Sequence, residues 1–237
     1  MSAPALNRDQ KPPMPRKSYQ EKLDELRENV LYMSEVVAER LRTGLTALEQ
    51  KDREMAMEVI EGDAEVNQLY LELESDCIDL LALQQPVAGD LRFIASSFKI
   101  ITDLERIADL ATNLGTYTLD AERDVFPEVD VQEIGTVTLE MIEEAMAAYA
   151  DEDSDACFAI ADSDEELDGM CEAASEAVVR DLIETEFDAR QGSMEELMQD
   201  VSRLLLTIRD LERVGDHAVN IAARTLYMVE NSDELIY

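Results

Sequence analysis

The stretch DLERIADLATN at residues 103–113 decides the fold of this chain, because a second copy, DLERVGDHAVN, lies at residues 210–220. The two copies are 107 residues apart and are identical at seven of their eleven positions. Each contains Glu-x-x-x-Asp, and helical residues four positions apart share one face of the helix. The copies therefore predict two oxygen-rich helix faces, formed by Glu105, Asp109 and Asn113 in the first and by Glu212, Asp216 and Asn220 in the second.

The duplication extends to the helix that precedes each motif. Asp52 aligns with Asp153 and Asp63 with Asp164, both at an offset of 101 residues. Apolar residues recur at spacings of three and four, and only Pro86 and Pro127 interrupt the chain after residue 15, which favours long helices. We predict an all-α protein of six long helices in two tandem antiparallel three-helix bundles, joined end to end. The predicted divisions are a disordered tail at residues 1–17, a first repeat at 18–122 and a second repeat at 128–232.

The charge of the chain limits its partners. It carries 55 acidic and 20 basic residues, for a formal net charge of -35. Nucleic acids and anionic membranes bind basic surfaces, so both are excluded as partners. Apolar residues make up 46% of the chain in periodic patterns, which favours a packed core over disorder. We interpret the charge as adaptation to high salt, since counterions must screen such self-repulsion; an ordinary acidic protein is the alternative.

The cysteines and the apolar segments indicate the cellular compartment of the protein. Cys77, Cys157 and Cys171 are odd in number and lie in apolar helical contexts, which predicts buried free thiols in a reducing compartment. Neither a signal peptide nor an apolar run long enough to span a bilayer is recognisable. We therefore expect a soluble cytoplasmic protein without direct membrane insertion.

Both acidic faces continue an apolar stripe, which distinguishes them from an ordinary wet surface. Glu105 lies one turn after Ile101, and Glu212 lies one turn after Ile208. A bundle would bring the preceding helix opposite each motif, so that Asp63 and Asn67 face Glu105 and Asp109, and Asp164 and Asp168 face Glu212 and Asp216. Facing carboxylates repel one another when ionised. A bound cation and a screened acidic surface both remain open; an all-oxygen ligand set suits Mg, Mn, Fe or Ca, whereas Zn usually recruits His or Cys.

Nothing in the chain indicates an enzyme. The sequence has neither a nucleophile-elbow glycine pattern nor a phosphate-cradling loop. His217, the one histidine, follows Asp216 and is expected at the periphery of the acidic face. Di-iron carboxylate enzymes built on helical bundles use Glu-x-x-His, a spacing that neither motif has, so a dimetal enzyme is disfavoured. A metal-free acidic helical scaffold remains the alternative to a metal-binding protein.

The motifs also support a family resemblance. LQQP at residues 83–86, DLR at 90–92 and the two Leu-Glu-Arg-(Ile/Val)-(Ala/Gly)-Asp stretches resemble the PhoU family, the regulators of phosphate uptake. The resemblance covers roughly residues 18 to 232. It implies an all-α fold of two similar three-helix bundles that hold multinuclear clusters of Fe, Mn, Mg or Zn. Matched by position, the implied ligands are Glu105, Asp109, Asp63 and Asn67 in the first repeat and Asp164, Asp168, Glu212 and Asp216 in the second.

The resemblance further implies a role and partners. PhoU-like proteins lack catalytic activity and act as negative regulators through a phosphate ABC transporter and, in many bacteria, a sensor histidine kinase. The transporter ATPase is therefore the expected partner, the kinase is a second candidate, and a homodimer is expected. Asn67 stands where the family pattern has a carboxylate. We expect the second site to bind metal more tightly for that reason.

Overall fold

The computed structural model describes residues 16–83, 86–121, 129–184 and 194–236. Six helices account for nearly all of them: α1 (Arg16–Gln50), α2 (Arg53–Leu83), α3 (Ala88–Asp120), α4 (Val131–Asp151), α5 (Ser154–Glu184) and α6 (Met194–Glu230). The predicted all-α class is confirmed. None of these helices combines the length and hydropathy needed to cross a bilayer.

The described residues cover only part of the predicted tail and repeat boundaries. α1 begins at Arg16, two residues before the expected start of the first repeat. Residues 1–15 of the predicted tail, and the predicted boundary between the repeats, lie outside the described residues. Gln84 and Gln85 of the LQQP lead-in lie outside them as well.

Identical caps begin the middle helix of each repeat. Asp52 Oδ1 accepts hydrogen bonds from the backbone N–H groups two and three residues further on, at 2.8 and 3.1 Å. Asp153 Oδ1 accepts the equivalent pair at 3.0 and 3.1 Å. A carboxylate at this position satisfies backbone donors that the first helical turn leaves unpaired. The duplication seen in the sequence is therefore also a duplication of local structure.

The two bundles lie side by side, not end to end as the sequence suggested. α1, α2 and α3 pack together, as do α4, α5 and α6, and α3 then packs along α6 while α1 contacts α4. The physical reason is that α3 and α6 are apolar on more than one side. Ile107 and Ala111 of α3 and Val214 and Ala218 of α6 are all fully buried, so one continuous core joins the bundles.

α3 and α6 run antiparallel, and this places the two motifs beside each other. Ser96 Oγ donates to the carbonyl oxygen of Arg224 at 2.9 Å, while Asn113, further along α3, contacts Asp210, earlier on α6. The helices therefore cross near Ile107, the middle of the first motif. Both motifs are therefore centred on the crossing, one on each helix.

Arg27 of α1 forms a second connection between the bundles. Its Nη1 donates to the carbonyl oxygen of Ala150 near the end of α4, at 3.2 Å. Its guanidinium carbon lies 5.0 Å from the centre of the Phe93 ring and 5.8 Å from that of Tyr149. Such cation–π contacts stabilise by about 0.5–1 kcal/mol or more when desolvated. Arg27 thus ties α1 to α3 and α4 at one end of the molecule.

The three cysteines are buried free thiols, as predicted. Burial is the main cause of a raised pKa in each of them, reaching about 12 for Cys77 and Cys171 and about 11 for Cys157. Burial therefore disfavours the thiolate, which is the nucleophilic form of cysteine, at all three positions.

Candidate metal centre

The first acidic cluster lies between α2 and α3. Glu105 and Asp109 project from α3, with side chains that are 22% and 47% exposed. Partial burial raises the pKa of Glu105, and Asp109 and Asp63 raise it further. Burial also raises the pKa of Asp109, and the charge of Asp63 adds to it. The structure therefore brings together the three carboxylates that the sequence predicted to face one another.

Asn67 holds Asp63 in place. Its Nδ2 donates to Asp63 Oδ2 at 2.7 Å across one turn of α2. A side-chain amide has both a donor and an acceptor, so this bond uses the nitrogen and leaves the Asn67 oxygen as a neutral ligand atom. The first cluster consequently has three carboxylates and one amide.

The second acidic cluster, between α5 and α6, has four carboxylates. Burial raises the pKa of Asp164 to about 6, and the charges of Asp168, Asp216 and Glu212 contribute in that order. Burial and then Asp168 and Asp216 raise the pKa of Glu212. Burial and then Asp168 raise that of Asp216. All four predicted residues of this site therefore lie within electrostatic reach of one another.

Gly215 lets α5 approach α6 beside this cluster. A Cβ at this position would overlap Leu167 Cδ2 and would lie 3.2 Å from Asp164 Oδ1. Asp164 Oδ1 is itself buried and has no hydrogen-bond partner. Leaving a buried carboxylate oxygen unpaired is costly, so a cation beside Asp164 would relieve a specific local deficit.

Asp210, at the start of the second motif, is a buried residue of α6 that contacts α3, and the sequence did not predict this contact. It is only 1% exposed, and its Oδ2 accepts hydrogen bonds from Asn113 Nδ2 at 3.0 Å and from the Tyr117 hydroxyl at 2.8 Å. Asn113 was expected on the oxygen-rich face with Glu105. Its amide points instead across the crossing to α6, because the buried carboxylate there needs donors.

Asp103, at the start of the first motif, makes the reciprocal contact. Its Oδ1 accepts a hydrogen bond from His217 Nδ1 at 2.9 Å and a longer one from Asn220 Nδ2 at 3.5 Å. His217 is therefore a contact between the bundles. The sequence did contain a signal for this contact. An aspartate begins both copies of the motif, and it recurs at the same offset of 107 residues as the Glu and Asp of the acidic pair.

The comparisons with known proteins agree with this architecture. Residues 30–118 and 131–225 match the model of the PhoU domain. The chain belongs to the PhoU family. The "Phosphate-specific transport system accessory protein PhoU homolog" of Pseudomonas putida is 33% identical over 214 residues, which cover 89% of this chain and 80% of the relative. "Phosphate-specific transport system accessory protein PhoU" of Escherichia coli (strain K12) is 29% identical, with 89% of this chain and 85% of the relative covered.

Solved PhoU structures share the fold. The crystal structure of PhoU from Pseudomonas aeruginosa superposes with a TM-score of 0.81 at 30% identity, covering 90% of this chain and all of that one. The phosphate transport system regulatory protein PhoU from Streptococcus pneumoniae gives a TM-score of 0.79 at 28% identity, covering 90% of this chain and 98% of that one. The arrangement of two bundles is therefore that of the PhoU proteins.

The donor set of this PhoU-family chain suits a hard or borderline cation. The second cluster provides four carboxylates and the first provides three with an amide, and such oxygen ligands favour Mg, Mn, Fe or Ca. The unpaired buried oxygen of Asp164 is the clearest local reason for a bound ion. Among the described residues, no three His, Cys, Asp or Glu side chains already converge as ligands on one point. Binding would therefore require carboxylates to rotate toward the ion.

Proposed function

We propose that this protein is a metal-binding negative regulator of phosphate uptake, which acts in the cytoplasm as an adaptor for a phosphate ABC transporter. One observation carries the metal part of the proposal: the two repeats place acidic clusters at equivalent positions, and one contains a buried carboxylate oxygen without a partner. The transport part is supported by relatives that align with most of this chain and are named accessory proteins of the phosphate-specific transport system.

In the proposed metal-bound form, each cluster joins the second and third helices of its own repeat. Asp63, Asn67, Glu105 and Asp109 would hold metal between α2 and α3. Asp164, Asp168, Glu212 and Asp216 would hold metal between α5 and α6. The bound cations, as a multinuclear cluster of Fe, Mn, Mg or Zn, would neutralise the carboxylates and so stabilise the packing of each helix pair. This role is structural or regulatory, and the protein catalyses no reaction in it.

The proposed partners follow from the same assignment. The transporter ATPase is the primary partner, a sensor histidine kinase is a second one, and the protein acts as a homodimer. A metal-free acidic scaffold is the competing function, favoured by the exposure of Asp109 at 47%. The two proposals differ in one measurable property, since only the first requires the clusters to bind metal.

The test compares a cluster variant with a charge-matched control. The cluster variant changes Asp164→Asn, Asp168→Asn, Glu212→Gln and Asp216→Asn. The control removes the same number of charges from exposed positions of α5 through Asp162→Asn, Glu165→Gln, Glu166→Gln and Glu172→Gln. Elemental analysis of each purified protein, after exposure to Mn or Fe and dialysis, measures retained metal.

We expect the wild type and the control to retain metal in whole-number ratios and the cluster variant to lose the second-site share. The same proteins are then tested for binding to the transporter ATPase and for restoring repression of phosphate uptake in cells that lack the gene. Equal trace metal in all three proteins would rule out the metal centre. Failure of the wild type to bind the ATPase or repress uptake would rule out the adaptor function.

A further inference from the structure

The two acidic clusters are connected through the α3–α6 crossing. His217 directly follows Asp216 of the second cluster and donates a hydrogen bond, at 2.9 Å, to Asp103, which lies two residues before Glu105 of the first. Because a carboxylate only accepts, the proton of this bond is on Nδ1 of His217. One imidazole therefore lies close to both clusters.

A second connection lies on the other side of the crossing. Asp210 lies two residues before Glu212, and it accepts hydrogen bonds from Asn113 and Tyr117. Asn113 follows Asp109 by one helical turn. Asp210 is only 1% exposed, so water cannot readily replace these donors. Each motif is thus held against the other at both of its ends.

We propose that these reciprocal hydrogen bonds couple the two metal centres, so that loading one raises the affinity of the other. The inference rests on the proposed metal binding. Ions held between α5 and α6 would fix the segment that carries Asp216 and His217. Through Asp103 and Asp210 this would restrict the motif of α3, so the first centre would lose less conformational freedom on binding. By linkage, the first centre then strengthens the second equally.

The experiment is a thermodynamic cycle measured by calorimetric titration of the metal-free full-length protein with Mn²⁺. The wild type gives the overall constant for loading both centres. One variant with Glu105→Gln and Asp109→Asn, and another with Asp164→Asn and Asp168→Asn, each leave one centre. The overall constant divided by the product of the two single-centre constants is the coupling factor, which equals one for independent sites.

We expect a coupling factor of at least about 5, within the usual range of about 5- to 150-fold for linked sites. The cycle is then repeated with each connection weakened. His217→Leu introduces the residue found at the equivalent position, Leu110, and Tyr117→Phe removes one hydroxyl. Both together should lower the factor toward 1 while single-centre binding persists, and the remaining bonds of Asn113 and Asn220 set how much coupling is left.

Tyr149→Phe provides the matched control. It removes another buried hydroxyl that bonds across the bundles, to Ser97 at 2.8 Å, about 12 Å along α3 from Glu105 at 1.5 Å per residue. It should leave the coupling factor unchanged. Far-ultraviolet circular dichroism checks that every variant is folded, and Asp216→Asn replaces the α5 pair if that variant is not.

Three outcomes would overturn the inference. These are a coupling factor of one in the wild type, a factor that His217→Leu combined with Tyr117→Phe leaves unchanged, and an equal decrease of the factor in the Tyr149→Phe variant. In each of these the metal centres themselves would stand, since Mn²⁺ still binds. Absence of Mn²⁺ binding to the wild type would overturn both this inference and the metal centre of the proposed function.

Discussion

Replacing Gly215 by alanine should destabilise the protein, although alanine is the better helix former. The added Cβ would overlap Leu167 Cδ2 and approach Asp164 Oδ1 to 3.2 Å. Leu167 is fully buried and cannot swing into solvent. The equivalent pair in the first repeat is Ala108 with Val66, both also buried. In that repeat, alanine takes the place of glycine on the third helix, and valine takes the place of leucine on the second. The summed side-chain volume of the pair is therefore nearly the same in both repeats.

The expected magnitudes follow from this geometry. Overpacking costs about 1–3 kcal/mol, and a direct overlap with a buried methyl group belongs near the upper end, at about 3. Alanine returns about 1 kcal/mol of helix propensity over glycine, which leaves a net loss of about 2 for Gly215→Ala. Leu167→Val alone removes one methylene and should cost about 1 kcal/mol. In the double variant the overlap disappears, so the free energy of unfolding should be within about 1 kcal/mol of the wild type.

The assay is urea unfolding of the metal-free proteins, followed by circular dichroism in a chelating buffer. The quantity that decides is the coupling energy between the two substitutions, expected at about 3 kcal/mol. If the double variant loses the sum of the single losses, the overlap at Gly215 does not set the distance between α5 and α6. A Gly215→Ala protein more stable than the wild type would refute the reasoning in the same way.

Three further predictions concern the core, the thiols and the net charge. Tyr149→Phe should lower the free energy of unfolding by about 1–2 kcal/mol, because it leaves the buried Ser97 hydroxyl without its partner; thermal unfolding measures this, and an unchanged midpoint contradicts it. Cys77, Cys157 and Cys171 should resist alkylation at neutral pH, where their raised pKa values keep them protonated, and should react after denaturation; labelling of all three in the native protein contradicts this. Raising KCl from about 0.1 to about 2 M should raise the thermal midpoint by screening the net charge, and a midpoint independent of salt contradicts that.

The elements and their order could be read from the sequence because helical periodicity is a local property. Apolar residues three and four apart, two interrupting prolines and the capping aspartates Asp52 and Asp153 are sufficient to predict six helices in two repeats. α1 begins two residues before residue 18, the expected start of the first repeat, and helix ends are defined only to within one or two residues.

The contents of the acidic clusters were also predictable, because each is built from residues at fixed helical spacing on neighbouring helices. Their electrostatic environment was not. Burial is the leading cause of the raised pKa of Asp164, and burial depends on how closely α5 lies against α6. That approach depends on Gly215 and Leu167, which lie far apart in the chain.

By itself the sequence determined the helices, the duplication and the two acidic faces, since all of these are repeated at short, regular spacing. Only the tertiary structure decided that the bundles lie side by side, with α3 antiparallel to α6. It also decided that the aspartate beginning each motif, Asp103 or Asp210, bonds to the asparagine of the other copy. The physical reason is that such a contact depends on the shapes of two helix faces that meet only in the folded chain. Asn113 and Asp210, which bond across the crossing, are 97 residues apart in the sequence.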